Sequence, residues 1–194
     1  MYDFSIIIPH KNIPNLLQRC LDSIPQREDL QVIVADDNSE AEVVDFSGFP
    51  GLKRPDTEVI FLKGDKGKGP GYARNAGLSR AKGKWILFSD ADDYFNECFN
   101  DALDHYRDNE EEIIFFKCSK QDETGKKTDN YPLINDAIEQ ARKSGNSDLI
   151  VYNVPCPWAK FIKRDFLYQN GIKFQEITCG DDILFSIRMA VKLK

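Results

Sequence analysis

Paired cysteines are missing from this sequence of 194 residues. Its five cysteines are odd in number and widely spread, and no two of them form a C-x-x-C pair; they are Cys20, Cys98, Cys118, Cys156 and Cys179. A disulfide framework and a cysteine-based metal site are therefore disfavoured, because each needs paired or closely spaced thiols. This cysteine pattern is typical of a protein in the reducing cytoplasm.

Long apolar runs and clusters of basic residues are also missing. The longest apolar runs reach about four to five residues, whereas a membrane span needs roughly 20. The net charge is −6, and no group of lysines and arginines interleaved with aromatic residues occurs, so nucleic acid is not an expected partner. Asp3 stands where a signal peptide would carry basic residues, and we expect no signal peptide. Length and an apolar fraction of 41% predict one globular domain.

The most informative stretch is a strand followed by acids. The run Trp85–Phe88 is short, rich in aromatic and branched residues, and flanked by turn-forming residues, which predicts a strand buried on both faces. Asp90, Asp92 and Asp93 follow directly. A divalent cation would relieve their mutual repulsion, and Mg²⁺ or Mn²⁺ prefers carboxylate oxygens. The alternative is an acidic turn whose Asp side chains cap a helix that starts near Asn96.

The order of the other elements predicts an α/β fold. A strand at 4–8, stopped by Pro9, precedes a helix that begins at Pro14 and a second strand at 30–35. Strand, helix and strand within about 35 residues form a βαβ unit, which implies a parallel pair of strands. A third strand is predicted at 58–62.

A glycine-rich loop, GDKGKGPG at 64–71, follows the third strand. Such a loop can bring backbone N–H groups and lysine ammonium groups close to phosphate. It is not a Walker loop, because Pro70 stands where Lys is needed after Gly69. It is also a poor dinucleotide-binding fingerprint, because Gly67, Gly69 and Gly71 alternate in the wrong pattern and the loop follows the third strand and not the first. A mobile loop with solvated lysines is the alternative. A helix rich in small residues is predicted at 72–81, with Gly83 as its left-handed cap.

The second half of the chain gives weaker patterns. Helices are predicted at 95–106, around 133–143, at 165–171 and from Gly180 onward, strands at 113–118 and in the β-prone run 149–154, and a hairpin turn at 123–126. Asp181 and Asp182 open the last helix, where acids suit the helix dipole. The chain stops about three turns into this helix, so we expect a truncated protein.

Together these pieces resemble the inverting glycosyltransferase family 2, nucleotide-sugar transferases of the GT-A fold. SIIIPHKN is similar to the family's first strand and VIVADDNS to its second strand and acidic turn. ARNAGLSRAKGKWILFSDADDYF is the most specific piece, and WAKFIKRDFL, GIKF and GDDILF complete the pattern. The resemblance covers nearly the whole chain and is weakest at 40–57 and 119–150. It implies a Rossmann-like, three-layer α/β/α fold with a mostly parallel central sheet.

The resemblance also implies roles for individual residues. The residues that would bind the nucleotide-sugar donor are Pro9, His10, Asn12, Asp37, Lys66, Arg74, Asn75, Asp90 and Ala91. Asp37 would accept a hydrogen bond from the base, commonly uracil, and Asp92 would bind the Mn²⁺ or Mg²⁺ that bridges the diphosphate.

The acceptor side is implied in the same way. Asp182 would be the general base, and Trp158, Lys160 and Asp181 would lie beside the acceptor. Core packing is the alternative for Trp158. The family usually has Glu at the position of Asp181, whose side chain is one methylene shorter, and this departure affects the role of Asp181 more than that of Asp182.

The function that follows is metal-dependent transfer of a sugar, with inversion, from a nucleoside-diphosphate sugar, expected to be a UDP-sugar. The acceptor would be a hydroxyl of a glycan or of a lipid-linked saccharide in capsule, O-antigen or exopolysaccharide synthesis. Residues 1–118 would form the nucleotide-sugar-binding half and 119–194 the acceptor-binding half of a single catalytic domain. The expected location is the cytoplasm, with contact at the inner face of the membrane.

Two other functions fit parts of the pattern. A haloacid-dehalogenase-like phosphatase also uses Asp-x-Asp after a strand, but there the strand is an early one, and Tyr94 stands where Thr or Val would be expected. A non-catalytic nucleotide-sugar-binding fragment is the second alternative. Metal-dependent hydrolysis or transfer of a nucleotide-sugar would distinguish the transferase from this fragment, and activity on a simple phosphomonoester would favour the phosphatase.

Overall fold

The structure is a computed structural model that describes residues 2–64, 67–121, 127–128 and 131–193. Its strands are β1 (Phe4–His10), β2 (Leu30–Asp36), β3 (Thr57–Phe61), β4 (Trp85–Phe88), β5 (Ile113–Phe115), β6 (Lys120–Gln121), β7 (Lys127–Thr128) and β8 (Lys160–Lys163). Six of them form one sheet with the order β3-β2-β1-β4-β8-β5. β1 to β4 pair in parallel, and β8 is antiparallel to both of its neighbours. The predicted mostly parallel central sheet is therefore confirmed.

The helices of the described residues are α1 (Pro14–Asp22), α2 (Pro70–Leu78), α3 (Phe99–Tyr106), α4 (Pro132–Ser144), α5 (Asp148–Val151), α6 (Arg164–Gln169) and α7 (Asp181–Lys192). α1, α2 and α4 begin with proline, whose missing N–H costs nothing in the first turn of a helix. The start of α1 at Pro14 is as predicted. Each of these helices is too short or too polar to cross a membrane.

Both faces of the sheet are buried. Alternate side chains of a strand point to opposite sides, so each strand contributes to the core on each face. Ile6 and Ile8 of β1 belong to one buried cluster, together with side chains of α1 and α3. Ile7 belongs to a second cluster, which includes Phe166 of α6 and Phe185 of α7. The sheet therefore lies between two helical layers, and the predicted three-layer α/β/α architecture is confirmed.

The first strand extends past Pro9 to His10, so the prediction that Pro9 stops it was wrong. The backbone oxygen of Ile7 accepts a hydrogen bond from Ser89, just after β4, so Ile7 faces β4. Pro9, two residues later, faces the same way, but β4 has already ended there. Because no partner strand needs an N–H at that position, proline is tolerated in β1.

Several elements of the second half differ from the prediction. β8 was not predicted, because its pairing with β4 and β5 is a long-range contact that local sequence does not reveal. The β-prone run 149–154 contains the short helix α5 instead of a strand, and Ile150 and Val154 pack one helical turn apart in the same cluster. α3 begins at Phe99 and not at Phe95, whose backbone N–H donates to Ser23 Oγ. β6 and β7 pair in the antiparallel direction, as the two strands of a hairpin do. The predicted turn at 123–126 lies outside the described residues.

Gly83 does not cap α2, which ends at Leu78, and it is not among the glycines with positive φ in the described part of the chain. Instead, a Cβ at Gly83 would overlap the backbone of Phe4. Glycine is needed there because the segment before β4 runs against the backbone of β1. Gly171, by contrast, has a left-handed φ of 61° after α6, as a helix-ending glycine does.

We predict that Gly83→Ala lowers the free energy of unfolding by about 2 kcal/mol, because the added methyl group must displace backbone. Urea denaturation of both proteins measures the difference. Lys82→Ala is the matched control: this exposed neighbour should change the free energy by less than about 0.5 kcal/mol. An unchanged urea midpoint for Gly83→Ala would show that the close approach is not real.

Candidate active site

The carboxyl ends of β1, β2 and β4 meet at one edge of the sheet. The parallel register sets His10 opposite Asp36, and Ile7 opposite Phe88. The end of β1 and the loops after β1, β2 and β4 carry six of the predicted donor-binding residues, whereas Arg74 and Asn75 lie on α2. The six are Pro9, His10, Asn12, Asp37, Asp90 and Ala91. In an open α/β sheet, this edge is where ligands bind.

His10 is buried, and both nitrogens of its ring bond to protein. Nδ1 lies 2.7 Å from Asp36 Oδ1, and Nε2 accepts the backbone N–H of Ile13 at 3.2 Å. Ser39 donates its backbone N–H and its hydroxyl to Asp36. Burial works to raise the pKa of Asp36, but the hydrogen bonds from His10 and Ser39 hold it below its ordinary value. The His10 side chain would have to give up one bond to contact a nucleotide, so its role stays a prediction.

Asn12 joins the loop after β1 to the loop after β2. Its backbone N–H donates to Ser39 Oγ at 2.8 Å, and its Oδ1 accepts the backbone N–H of Glu40 at 2.8 Å. Asn12 has a left-handed φ of 58°, which asparagine tolerates better than most residues. Pro9 is half-buried three residues earlier. Both residues therefore lie at the predicted edge, with Asn12 in a structural contact.

Asp37 is buried under the glycine-rich loop. Its Oδ1 accepts the backbone N–H of Lys68 at 2.9 Å, and its Oδ2 accepts that of Gly69 at 2.8 Å. The carboxylate predicted to bind a base therefore also anchors the loop. Lys66, another predicted donor-binding residue, lies outside the described residues.

The glycines of this loop are explained by close packing. Gly69 has a φ of 98°, and a Cβ there would overlap the carbonyl of Ile177. A Cβ on Gly71 would overlap the carbonyl of Gln175. Glycine at these positions lets the start of α2 approach the segment before α7. The N–H groups of Lys68 and Gly69 that the prediction directed to phosphate bond to Asp37 instead.

Three carboxylates cluster after β4. Asp90, Asp92 and Asp93 each offer a ligand oxygen, and these oxygens lie within 4.8 Å of one another. Loss of hydration, followed by repulsion from Asp90 and Asp92, raises the pKa of Asp93 to about 6. Arg19 donates to the backbone oxygen of Asp92, and Ala91 is buried between the acids. The donor set suits a hard divalent cation.

Arg74 of α2 connects the acids after β4 to the start of α7. One terminal nitrogen donates to Asp90 Oδ1 at 2.6 Å and the other to Asp181 Oδ2 at 2.7 Å. Arg74 and Asp181 are both buried. Burial raises the pKa of Asp181, and the charge of Arg74 opposes that shift. Arg74, Asp90 and Asp181, predicted separately, therefore lie together.

Asn75 contacts the protein backbone with its whole side-chain amide. Its Nδ2 donates to the carbonyl of Phe174 at 3.1 Å, and its Oδ1 accepts the N–H of Phe174 at 3.0 Å. The Asn75 amide thus bonds both the N–H and the C=O of Phe174, as the backbone of a neighbouring strand would. Asn75 thus fixes the segment between α6 and α7, while its donor-binding role stays a prediction.

The predicted acceptor-side residues fall in two environments. Trp158 is half-buried and packs edge-on against Tyr131, with ring centroids 5.4 Å apart, in a small cluster with α4 and α5. Lys160 is buried in β8, and its Nζ donates to the carbonyl of Val154 at 3.2 Å. Burial lowers the pKa of Lys160 to about 8, and the negative charge of Asp182 opposes that shift.

Asp182 is half-buried in the first turn of α7 and follows Asp181 directly. The bond between Asp181 and Arg74 brings the first turn of α7 close to the acids after β4, because Arg74 also bonds Asp90. The predicted base and the predicted metal ligand thus belong to one region of the surface.

Sequence reasoning missed two contributors. Arg19 on α1 reaches the acidic turn, and Asp36 anchors His10 and Ser39. Asp36 is the last residue of β2 and Asp37 the first residue after it, and a predicted strand end at Ala35 does not separate their roles. No local signal pointed to Arg19.

The sheet order and the acids at its edge define a domain of the GT-A type. Residues 5–169 match the family described as "Glycosyl transferase family 2". The chain therefore belongs to glycosyl transferase family 2, and the predicted family is confirmed. The phosphatase alternative is accordingly wrong.

Two curated relatives match almost the whole chain. A poly(ribitol-phosphate) beta-glucosyltransferase of Bacillus spizizenii is 28% identical over 98% of this chain and 30% of its own length. The poly(ribitol-phosphate) beta-N-acetylglucosaminyltransferase TarS of Staphylococcus aureus is 25% identical over 97% of this chain and 32% of its own length. The chain thus spans about a third of the length of these relatives.

Solved structures confirm the fold. The crystal structure of S. aureus TarS 1-349 in complex with UDP-GlcNAc has a TM-score of 0.76 at 24% identity, covering 99% of this chain and 54% of that one. The mannosyltransferase PcManGT from Pyrobaculum calidifontis, in complex with GDP-Man and Mn²⁺, has a TM-score of 0.64 at 17% identity, covering 96% and 51%.

We predict that Lys160 makes the stability of the protein rise with pH. Its pKa is about 8 in the folded protein and 10.5 ordinarily, so the unfolded chain binds more protons between these values. The penalty for burying the charge is complete below pH 8 and is relieved towards pH 10.5, by up to about 3 kcal/mol. Urea denaturation from pH 7 to 10 should show this rise in the wild type and a smaller one in Lys160→Met. Parallel curves for the two proteins would contradict the assignment.

Proposed function

We propose that the chain is the catalytic domain of a glycosyltransferase that moves a sugar from a UDP-sugar to a hydroxyl group with inversion. The observation that carries the proposal is the meeting of two acidic segments on one guanidinium. Arg74 bonds Asp90 after β4 and Asp181 at the start of α7. Asp90, proposed to bind the donor, and Asp181, the residue before the proposed base Asp182, are therefore held together by one side chain.

A UDP-sugar donor is supported by chemistry and by similarity. The related TarS was crystallised with UDP-GlcNAc. Asp37, an acceptor-only group, suits the N3–H of uracil. A carboxylate has about four lone-pair positions, so Asp37 can accept this bond in addition to the two from the glycine-rich loop. Pro9, His10, Asn12 and Ala91 at the same edge complete the proposed donor site.

The carboxylates of Asp92, Asp93 and Asp90 would hold Mn²⁺ or Mg²⁺. Their close oxygens and the raised pKa of Asp93 describe a negative site that gains from a cation. When bound, the metal supplies a Lewis acid for the charge that develops on the leaving diphosphate. Mn²⁺ in the PcManGT complex supports this choice of cofactor.

Asp182 would accept the proton of the acceptor hydroxyl as that oxygen attacks the anomeric carbon. A base opposite the leaving group gives a single displacement and hence inversion. The names of the two curated relatives support an acceptor of the polyol-phosphate or glycan class. Trp158 is accessible enough to contact a saccharide, whereas Lys160, buried and bonded to Val154, would support that segment from inside.

The remaining parts of the proposal concern context. Residues 1–118 would serve the donor and 119–194 the acceptor. Synthesis of a surface polysaccharide would take place on the cytoplasmic side of the membrane, where a lipid-linked acceptor would be presented. The lipid-linked acceptor is the reason to propose contact with the inner face.

We predict that Asp182→Asn slows turnover of UDP-glucose or UDP-GlcNAc with poly(ribitol phosphate) and Mn²⁺ by about 10²–10⁴-fold, because proton transfer to a positioned base contributes that much. UDP release measures turnover, and calorimetry should show unchanged UDP binding. Asp101→Asn, an exposed carboxylate of α3, is the matched control and should keep wild-type turnover. Full activity of Asp182→Asn would refute the assignment of the base. UDP binding without turnover in the wild type would favour the non-catalytic alternative.

A further inference from the structure

The segment 174–181, which leads into α7, contacts α2 at three points. Arg74 bonds Asp181, the first residue of α7, and Asn75 bonds both backbone groups of Phe174. Between these two contacts, Gly71 lets the backbone of Gln175 approach α2 too closely for any side chain. The segment 174–181 is therefore held at both of its ends, and Asp182 is the next residue.

The same guanidinium also holds the other side of the site. Its second terminal nitrogen donates to Asp90, whose side chain follows β4. We propose that Arg74 is a positioning residue: it fixes Asp182 on α7 relative to the carboxylates after β4 without contacting the donor or the acceptor. This inference rests on the proposed function, because it concerns the base of that reaction.

Burial of Arg74 argues against a direct role in binding nucleotide. Its exposure is 5%, both terminal nitrogens bond carboxylates, and its guanidinium lies 5.3 Å from the ring centre of Phe174. Within the described part of the chain, its Nε is a buried nitrogen without a hydrogen-bond partner. A phosphate could reach Arg74 only by displacing Asp90 or Asp181. The arrangement is that of a clamp between two protein segments.

Loss of the guanidinium would release both segments. Asp181 is 3% exposed, and without Arg74 its charge would be buried next to Asp182 with no partner. The first turn of α7 would then move towards water or Asp181 would take up a proton. A displacement of about 1 Å at a reacting group can cost about 100-fold in rate.

The experiment compares Arg74→Gln with Arg54→Gln, a matched control. Arg54 also pairs with a carboxylate, Asp56 at 2.7 Å, but lies before β3, at the opposite edge of the sheet. Three quantities are measured: the Kd of UDP with Mn²⁺, turnover of UDP-glucose or UDP-GlcNAc with poly(ribitol phosphate), and hydrogen exchange of the peptide that spans 174–184.

For Arg74→Gln we expect turnover to fall about 100-fold while the Kd of UDP stays within about threefold. Exchange of the 174–184 peptide should rise about tenfold, since a local clamp is lost. Asp181→Asn should reproduce the loss of turnover, and the double variant should be no slower than either single one. Arg54→Gln should keep turnover and the exchange of this peptide, whatever it costs in stability.

Two results would overturn the inference. A Kd of UDP that rises in step with the loss of turnover would make Arg74 a ligand of the nucleotide. Unchanged exchange at 174–184 would show that Arg74 does not hold the segment. If the wild type neither binds UDP nor turns over a donor, the proposed function fails, and the exchange measurement alone still decides whether Arg74 holds α7.

Discussion

The buried guanidinium of Arg74 is the contact on which the geometry of the site depends. It lies between a carboxylate after β4 and a carboxylate at the start of α7, at 2.6 and 2.7 Å. Breaking a buried pair by removing one partner costs about 3–5 kcal/mol, because a charge is left without compensation. The helix α2, the strand β4 and the helix α7 therefore keep one relative arrangement. Two carboxylates share one guanidinium, so this cluster carries one net negative charge when both acids are ionised.

The glycines around α2 make that contact possible. Gly77 lies against the side chain of Ile7, and Gly71 against the carbonyl of Gln175. Larger residues at either position would push α2 away from the sheet or from the segment before α7. The loop that leads into α2 is anchored by Asp37, which accepts the backbone N–H groups of Lys68 and Gly69. Contacts that fix the positions of reacting groups lower the free-energy cost of bringing those groups together.

The first half of the fold could be predicted from the sequence because each of its elements has a recognisable pattern within a few consecutive residues. β2 and β4 are short apolar runs buried on both faces, and α1 starts at a proline. β8 could not be predicted, because its place between β4 and β5 is set by pairing with residues far away in the chain. The run 149–154 has β-prone residues, but packing against α4 overrides that preference.

The candidate site, like the fold, could be predicted only in part from the sequence. Its acids could be predicted because each follows a strand or begins a helix, and no basic residue next to them in the sequence balances their charge. The partners of the site residues are set by the folded chain: Asp37 bonds a loop, Asn75 bonds the backbone of Phe174, and Arg74 bonds two acids. A sequence pattern names such residues without saying whether they face a ligand or the protein.

The most direct test of this account is the anomalous-scattering map of a crystal of the protein grown with UDP and Mn²⁺. The account predicts a manganese peak at the carboxylates of Asp92 and Asp93, with the base of the nucleotide at Asp37 and Arg74 still bonded to Asp90 and Asp181. A manganese peak elsewhere, or a nucleotide bound away from the carboxyl ends of β1, β2 and β4, would contradict it.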